Sequence, residues 1–400
     1  MPQPAAKPVA NSDNNPAVTK ETPDNQHAAN ALCYDLVPDG DTVLILQDPP
    51  RSLPRNLNDV TSSLFSEAPI RPGARWLDTV KGSIRIRTSS KHLSLASPYF
   101  SRMLGGRFRE GMDFKSSGHV EIPLNENRVI PFLLLMLIVH ARTSHIPSTI
   151  SLETLADVAV LVDYYGCYDA VIFYAKLWIF ALQNPLPSTI TRASSLFYGP
   201  SDIIQWLLIS WVFGHNLIFQ KMTQVLMVDS DRSIDPWGLP IPDLIIHKMN
   251  TNRTDFLNRL SQDLIMMQAT VAKGCLDSGS DIFYFADKTL CTYAVLGALT
   301  KRILDMKITA TPTDSSYPGV AIKKFLTECR QNMNSPPINS SRGPNIHDKC
   351  SLSRRIKAML TYDEPVGLDL DAPEFTKLHQ GRNTNNPQLS NTNQSEPSLP

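Results

Sequence analysis

Residues 91–104 read KHLSLASPYFSRML. In that run His92, Leu95, Ala96, Tyr99, Phe100, Met103 and Leu104 recur at helical spacing. Ser97 followed by Pro98 supplies an N-cap and a proline at the first helical position. The spacing predicts a short helix or turn and then a second helix starting at Pro98. On either side the period drops to two. Upstream, Ile84 and Ile86 alternate with Arg85 and Arg87, the mark of a half-buried strand. Downstream, the run from His119 to Pro123 alternates again, with Val120 and Ile122 facing inward. The short apolar run Thr42 to Leu46, after the turn-like Pro38 to Asp41, adds another strand, so three are expected.

From residue 132 the text turns helical. The apolar run from Phe132 to Val139 is followed by Ser151 to Tyr165, where Leu152, Leu155, Ala156, Ala159 and Val162 form one stripe and Ser151 is the cap. Asp169 to Leu182 is apolar nearly all round and is expected to be packed in a core. Asn184 to Pro187 punctuates the chain and is taken as the internal boundary. Beyond it, helices are predicted over 201–213, 217–228, 242–250, 255–272, about 287–305 and 319–330. Residues 1–35 and 331–400 are polar and proline-bearing, and are expected as disordered tails with a short helix at 352–360. Residues 47–75 read as a long loop insertion. The outline is α+β for residues 36–183 and all-α for 188–330.

Composition limits the function classes. In 400 residues, 42% are hydrophobic and 19% charged, which excludes wholesale disorder. The 38 basic residues equal the 38 acidic ones, so no net field draws nucleic acid or an anionic membrane. No apolar run reaches the roughly 18 residues a membrane helix needs. The first thirty residues contain no leucine, isoleucine or aromatic side chain, so a secretory signal is not expected and an intracellular location is. The six cysteines form no CxxC pair and read as reduced thiols, several of them core residues.

Chemistry-bearing motifs are few. The sequence contains no nucleophile elbow, phosphate-binding loop, zinc-protease pair or dinucleotide fingerprint, and no catalytic residue or cofactor is expected. Asp229, Asp231 and Asp235 lack the glycine and the distal glutamate of a calcium loop. Cys329, His347 and Cys350, with His379 as a fourth ligand, match no strong zinc spacing, so no metal is expected there. Trp206, Trp211 and Phe213 read as aromatic core.

The residues His92, Leu95, Ala96, Ser97, Tyr99, Phe100 and Met103, then Val120 and Ile122, then Asp163, Tyr164 and Tyr165, taken in that order, resemble a BTB/POZ domain. More narrowly they are similar to BTB-domain proteins of filamentous fungi, over about Asp39 to Leu182. The resemblance implies a small sheet of short strands covered by helices, followed by a helical extension. It implies protein partners rather than a reaction: self-association as a homodimer, scaffolding, or adaptor work that joins a client to a cullin-type ubiquitin ligase. Such adaptors carry a hydrophobic-x-Glu motif after the corresponding helix, and Phe108, Arg109 and Glu110 occupy that place here. Some members regulate transcription, but no DNA-binding motif or basic stripe supports that alternative. An enzyme with an unrecognised site is the alternative from another class. A deep pocket joining perturbed titratable groups favours the enzyme, and a broad exposed apolar patch favours the adaptor.

Overall fold

The computed structural model describes residues 32–46, 83–126, 128–188, 202–275, 284–306, 317–331, 350–360 and 364–383. The 47–75 insertion, most of the 1–35 segment and the last residues of the chain lie outside that set. The protein is α+β. Strands β1 (Leu32–Asp35), β2 (Thr42–Leu46), β3 (Ile84–Thr88) and β4 (Val120–Leu124) form one sheet in the order β1-β3-β2-β4. β2 runs antiparallel to β3, whereas β1 is parallel to β3 and β4 is parallel to β2. The register sets Leu44 opposite both Ile86 and Ile122, so the three alternations bury one common face. The other face carries charge: Arg85 pairs with Glu121, and Arg87 with Asp35 at 2.9 Å.

β1 corrects the sequence expectation, which placed residues 32–35 in a tail. Leu32 and Tyr34 are buried while Cys33 and Asp35 face out. A four-residue alternation beside a polar segment carries too little signal to be read alone.

The helices that follow are α1 (Ser90–Ala96), α2 (Pro98–Arg102), α3 (Arg109–Ser117), α4 (Val129–Val139), α5 (Leu152–Tyr165) and α6 (Tyr168–Leu182). α4 buries every residue but Ile130 and is the centre of the first core. Pro131 sits in its first turn, where the missing N–H costs no helical bond. α5 begins where the Ser151 hydroxyl accepts the Thr154 N–H at 3.1 Å, and it ends at Gly166, whose φ of 69° suits glycine.

Asn184 to Pro187 punctuates the chain without interrupting the packing. The core continues into α7 (Asp202–Val212), α8 (Asn216–Asp229) and the first half of α9 (Asp243–Ala272), where Ile245 and Met249 still belong to it. Trp206, Trp211 and Phe213 are buried there, as aromatic core residues. A second core gathers the rest of α9, from Phe256 to Val271, with α10 (Tyr284–Asp305), α11 (Ile322–Gln331) and α12 (Leu352–Met359). The two cores part inside α9.

α9 is one helix where the sequence suggested two, at 242–250 and 255–272. The polar residues between them are not a break because they have partners. Asn250 exchanges hydrogen bonds with the Ile234 backbone at 2.8 and 3.1 Å. Arg253, buried, donates to the carbonyls of Ser230, Tyr317 and Val320 at 3.2, 3.3 and 2.6 Å.

The C-terminal segment is a further correction. α12 falls where a short helix was expected, but residues 364–383 are not a tail. Leu368, Leu370 and Phe375 are buried in the first core, and α13 (Pro373–Asn383) closes the chain against it. The strap is fixed to α8 by main-chain donors: Leu368 N–H to the Thr223 hydroxyl at 2.8 Å and Leu370 N–H to the Asn216 side chain at 3.0 Å. Gly367 passes so close to the Gln220 carbonyl that a side chain would collide with it. Glu374 pairs with Lys248, whose ammonium also lies 5.6 Å from the Phe375 ring centroid.

Candidate protein-interaction surface

The segment between α1 and α3 is built on Ser97. Its buried hydroxyl accepts the Phe100 N–H at 3.2 Å, capping α2, and donates to the Tyr165 carbonyl at 2.6 Å at the end of α5. One hydroxyl thus joins two helix ends distant in sequence. Above it the Phe100 and Tyr165 rings stack with centroids 5.2 Å apart, and Tyr99 meets Tyr165 edge to face. Val120 and Ile122 complete this core from β4.

The remaining residues of the resemblance divide. Met103 and Ala96 pack partly buried against the core. Leu95 does not: it is 88% exposed, and Leu93 takes the buried position on α1. The cause is the break at Ser97, whose extended backbone separates α1 from α2, so one helical phase does not run through both. Asp163 is half-buried in the last turn of α5, and Tyr164 beside it is exposed.

After α2 the chain makes a wide π-turn over Met103–Arg107, in which Gly106 takes φ 86°. Gly111, in α3, lies against the Gly106 backbone so closely that a Cβ would clash. This tight return pushes Phe108 outward. It is extended, at the N-cap of α3, and 55% exposed. Met112, one turn later on the same face, is 56% exposed. Arg109 makes a solvent-exposed contact to Asp113 at 3.7 Å, of a kind worth about 0–1 kcal/mol. Glu110 lies in the first turn of α3, where the helix dipole favours its charge. Burial raises the Tyr99 hydroxyl to about 12, Tyr164 adds to the shift, and the Glu110 carboxylate adds to it again. The three motif residues therefore sit at a helix start, with Glu110 within electrostatic reach of Tyr99.

α6 differs most from its sequence reading. Val171, Ala175, Trp178 and Ile179 are buried, and the Trp178 indole donates to the Pro147 carbonyl at 3.1 Å. The opposite face is uncovered: Phe173, Leu177 and Phe180 are 66%, 48% and 73% exposed. Their spacing of four and three residues puts them in one stripe. A helix apolar all round was expected to be enclosed, but α5 and α4 cover only one side of it.

His140 ends α4, buried, with its ring 5.3 Å from that of the exposed His92. The Ser89 N–H donates to its Nε2 at 3.1 Å, so Nδ1 carries the hydrogen and donates to the Met136 carbonyl at 2.8 Å. Burial lowers its pKa to about 4, with His92 and Arg142 adding in the same direction. Nearby, Asp41 accepts both the N–H and the hydroxyl of Ser90, at 2.7 and 2.6 Å. Burial pushes that carboxyl up, but the bonds from Ser90 and Thr42 outweigh it and hold the pKa below its usual value. Both groups fasten α1 and β2 to the core and serve the fold.

The six cysteines form no disulfide. The grouping of Cys329 with Cys350 that the sequence reading set aside does not appear among the clustered thiols. Cys350 lies instead with Cys275 and Cys291, their three sulfurs within 4.8 Å of one another. His347 is outside the described residues, and His379 belongs to α13 on the other core. Asp229 is used by Lys323 at 3.5 Å, and Asp231 by Arg232 at 3.2 Å. An open depression of about 540 Å³ follows α10 along Tyr293, Leu296, Thr300 and Leu304; Lys301 and Asp305 on it pair with each other at 3.3 Å.

Comparison of the chain with protein-family models, with curated proteins and with solved structures finds no match. Among the described residues, no helix is long and apolar enough to cross a membrane.

Proposed function

We propose that this chain is a protein-protein interaction scaffold built on a BTB/POZ-type domain and not an enzyme. The observation that carries the reading is the uncovered stripe Phe173, Leu177 and Phe180 on α6. Exposed aromatic and aliphatic side chains in register along a helix are the anchors by which helices enter a partner's groove. Phe108 and Met112 form a second, smaller exposed apolar pair at the start of α3, the turn that also carries Glu110. The finer proposal is that this second pair docks a cullin, making the chain a substrate adaptor whose client binds elsewhere on the molecule.

The test is direct titration of a purified cullin N-terminal domain, alongside affinity capture with quantitative mass spectrometry. Wild type is compared with the Phe108→Ala, Glu110→Ala double variant and with Phe173→Gln, Phe180→Gln, each checked by circular dichroism. Loss of an aromatic anchor costs about 2 kcal/mol or more, roughly a thirtyfold weaker complex. A cullin complex weakened only by the first variant supports the adaptor. Captured partners lost only with the second support a scaffold acting through α6. Capture unchanged by both variants overturns the reading.

A further inference from the structure

Three thiols meet where three separate pieces of chain end or begin. Cys275 follows the C-terminus of α9, Cys291 lies in the second turn of α10, and Cys350 stands just before Ser351, the N-cap of α12. Cys275 Sγ and Cys350 Sγ are 3.4 Å apart, and Cys291 Sγ lies within 4.8 Å of both. Cys291 and Cys350 are buried and Cys275 half-buried. Four ligands around zinc at about 2.3 Å lie about 3.8 Å from one another, inside the range spanned by this trio. Apolar packing alone does not require sulfur on all three segments. A set of soft donors, all sulfur and without a carboxylate, selects a soft cation over magnesium or calcium.

We propose that Cys275, Cys291 and Cys350 form a zinc-binding thiolate site that ties α9, α10 and α12 together. Binding converts three thiols to thiolates, releases three protons and leaves a complex of net charge −1, with a fourth position for water or an added ligand. The sequence hides this site because its ligands share no motif spacing. Its effect on the second core follows from chain connectivity: Cys275 and Cys350 are 75 residues apart, and one ion would close that loop.

The experiment uses the full chain, reduced, stripped with a chelator and returned to zinc. Bound metal is counted by elemental analysis, and affinity is measured against a chromophoric chelator. One zinc per chain is expected, with a sulfur-to-cobalt charge-transfer band on replacement by cobalt. Cys275→Ser and Cys291→Ser should each weaken zinc binding more than about 100-fold, beyond the cost of losing an outer-shell partner. Cys33→Ser and Cys329→Ser should leave it unchanged. Because Cys291 is buried, the half-buried Cys275 is the variant that keeps the test clear of misfolding, and circular dichroism verifies both. Substoichiometric zinc in the reduced chain overturns the proposal, as does equal zinc retention in Cys275→Ser. So does a Cys275–Cys350 disulfide, found by non-reducing peptide mapping, in protein that after reduction still takes up no zinc.

Discussion

In the first core α4 buries every residue but Ile130, whereas in the second α11 buries four residues of ten and α12 two of eight. The first is held mainly by sheet and helix surfaces, with polar contacts at its margin: Ser97, His140 and Asp41 fasten helix ends, and Thr223 and Asn216 hold the C-terminal strap. The second has amphipathic helices around half of one long helix, and a charged group inside it. Arg253 spans from the end of α8 to the turn at residues 317–320 through three carbonyls. The contrast shows two ways to unite remote segments: area where the chain supplies a continuous apolar face, and polar or sulfur contacts where it does not.

The comparison is broken most severely at Phe132, fully buried in α4. Phe132→Ala should cost about 3–5 kcal/mol, seen as an earlier urea midpoint for the whole chain. If only the second core loosened, the first would not be the dominant cooperative unit.

Acid sharpens the contrast from another side. The unfolded His140 binds its proton near pH 6.5 and the folded one near 4. The unfolded state therefore takes up the proton first. Stability is full above pH 6.5 and falls as pH drops towards 4, by about 3 kcal/mol. His140→Gln should remove that part of the pH slope in chemical denaturation, while His92→Gln should keep most of it. Equal slopes in wild type and His140→Gln would refute the assignment.

Arg253→Met tests the second core alone. It strands three carbonyls and should cost about 2–3 kcal/mol. Hydrogen exchange should accelerate in α10, α11 and α12 while the amides of α4 and α5 stay protected. Uniform acceleration would mean that the two cores open together.

What could be read in advance follows the same division. The alternations at Ile84 to Ile86 and Val120 to Ile122, the Ser97 cap and the helices α5, α7 and α8 were legible because local period and tertiary burial agree. The break at Pro98 was legible, but the helical spacing of Leu95 did not tell that α1 buries Leu93 and leaves Leu95 exposed, because each short helix takes its own phase. α9 was divided because Asn250 and Arg253 look like loop residues until their carbonyl and backbone partners are known. The open side of α6 could not be read at all, since an apolar helix announces its composition and not which neighbours cover it. The sulfur cluster was equally silent: Cys275, Cys291 and Cys350 become neighbours only after three helices pack. Of the proposed interaction surface, Phe108, Arg109 and Glu110 were singled out by the family resemblance, whereas the exposed Phe173, Leu177 and Phe180 lay in a run read as core.

The strap at residues 364–375 has a consequence for how the molecule is made. Thr223 receives its partner, the Leu368 N–H, from 145 residues further along the chain. At the usual pace of translation, about 5–20 residues per second, α8 leaves the ribosome roughly 7–30 seconds before the segment that covers it. During that interval the apolar surface of Phe219 and Trp211, later closed by Phe375, has no cover from its own C-terminus. A message cut short after α12 would make that interval permanent, yielding a chain with both cores begun and the first left unsealed.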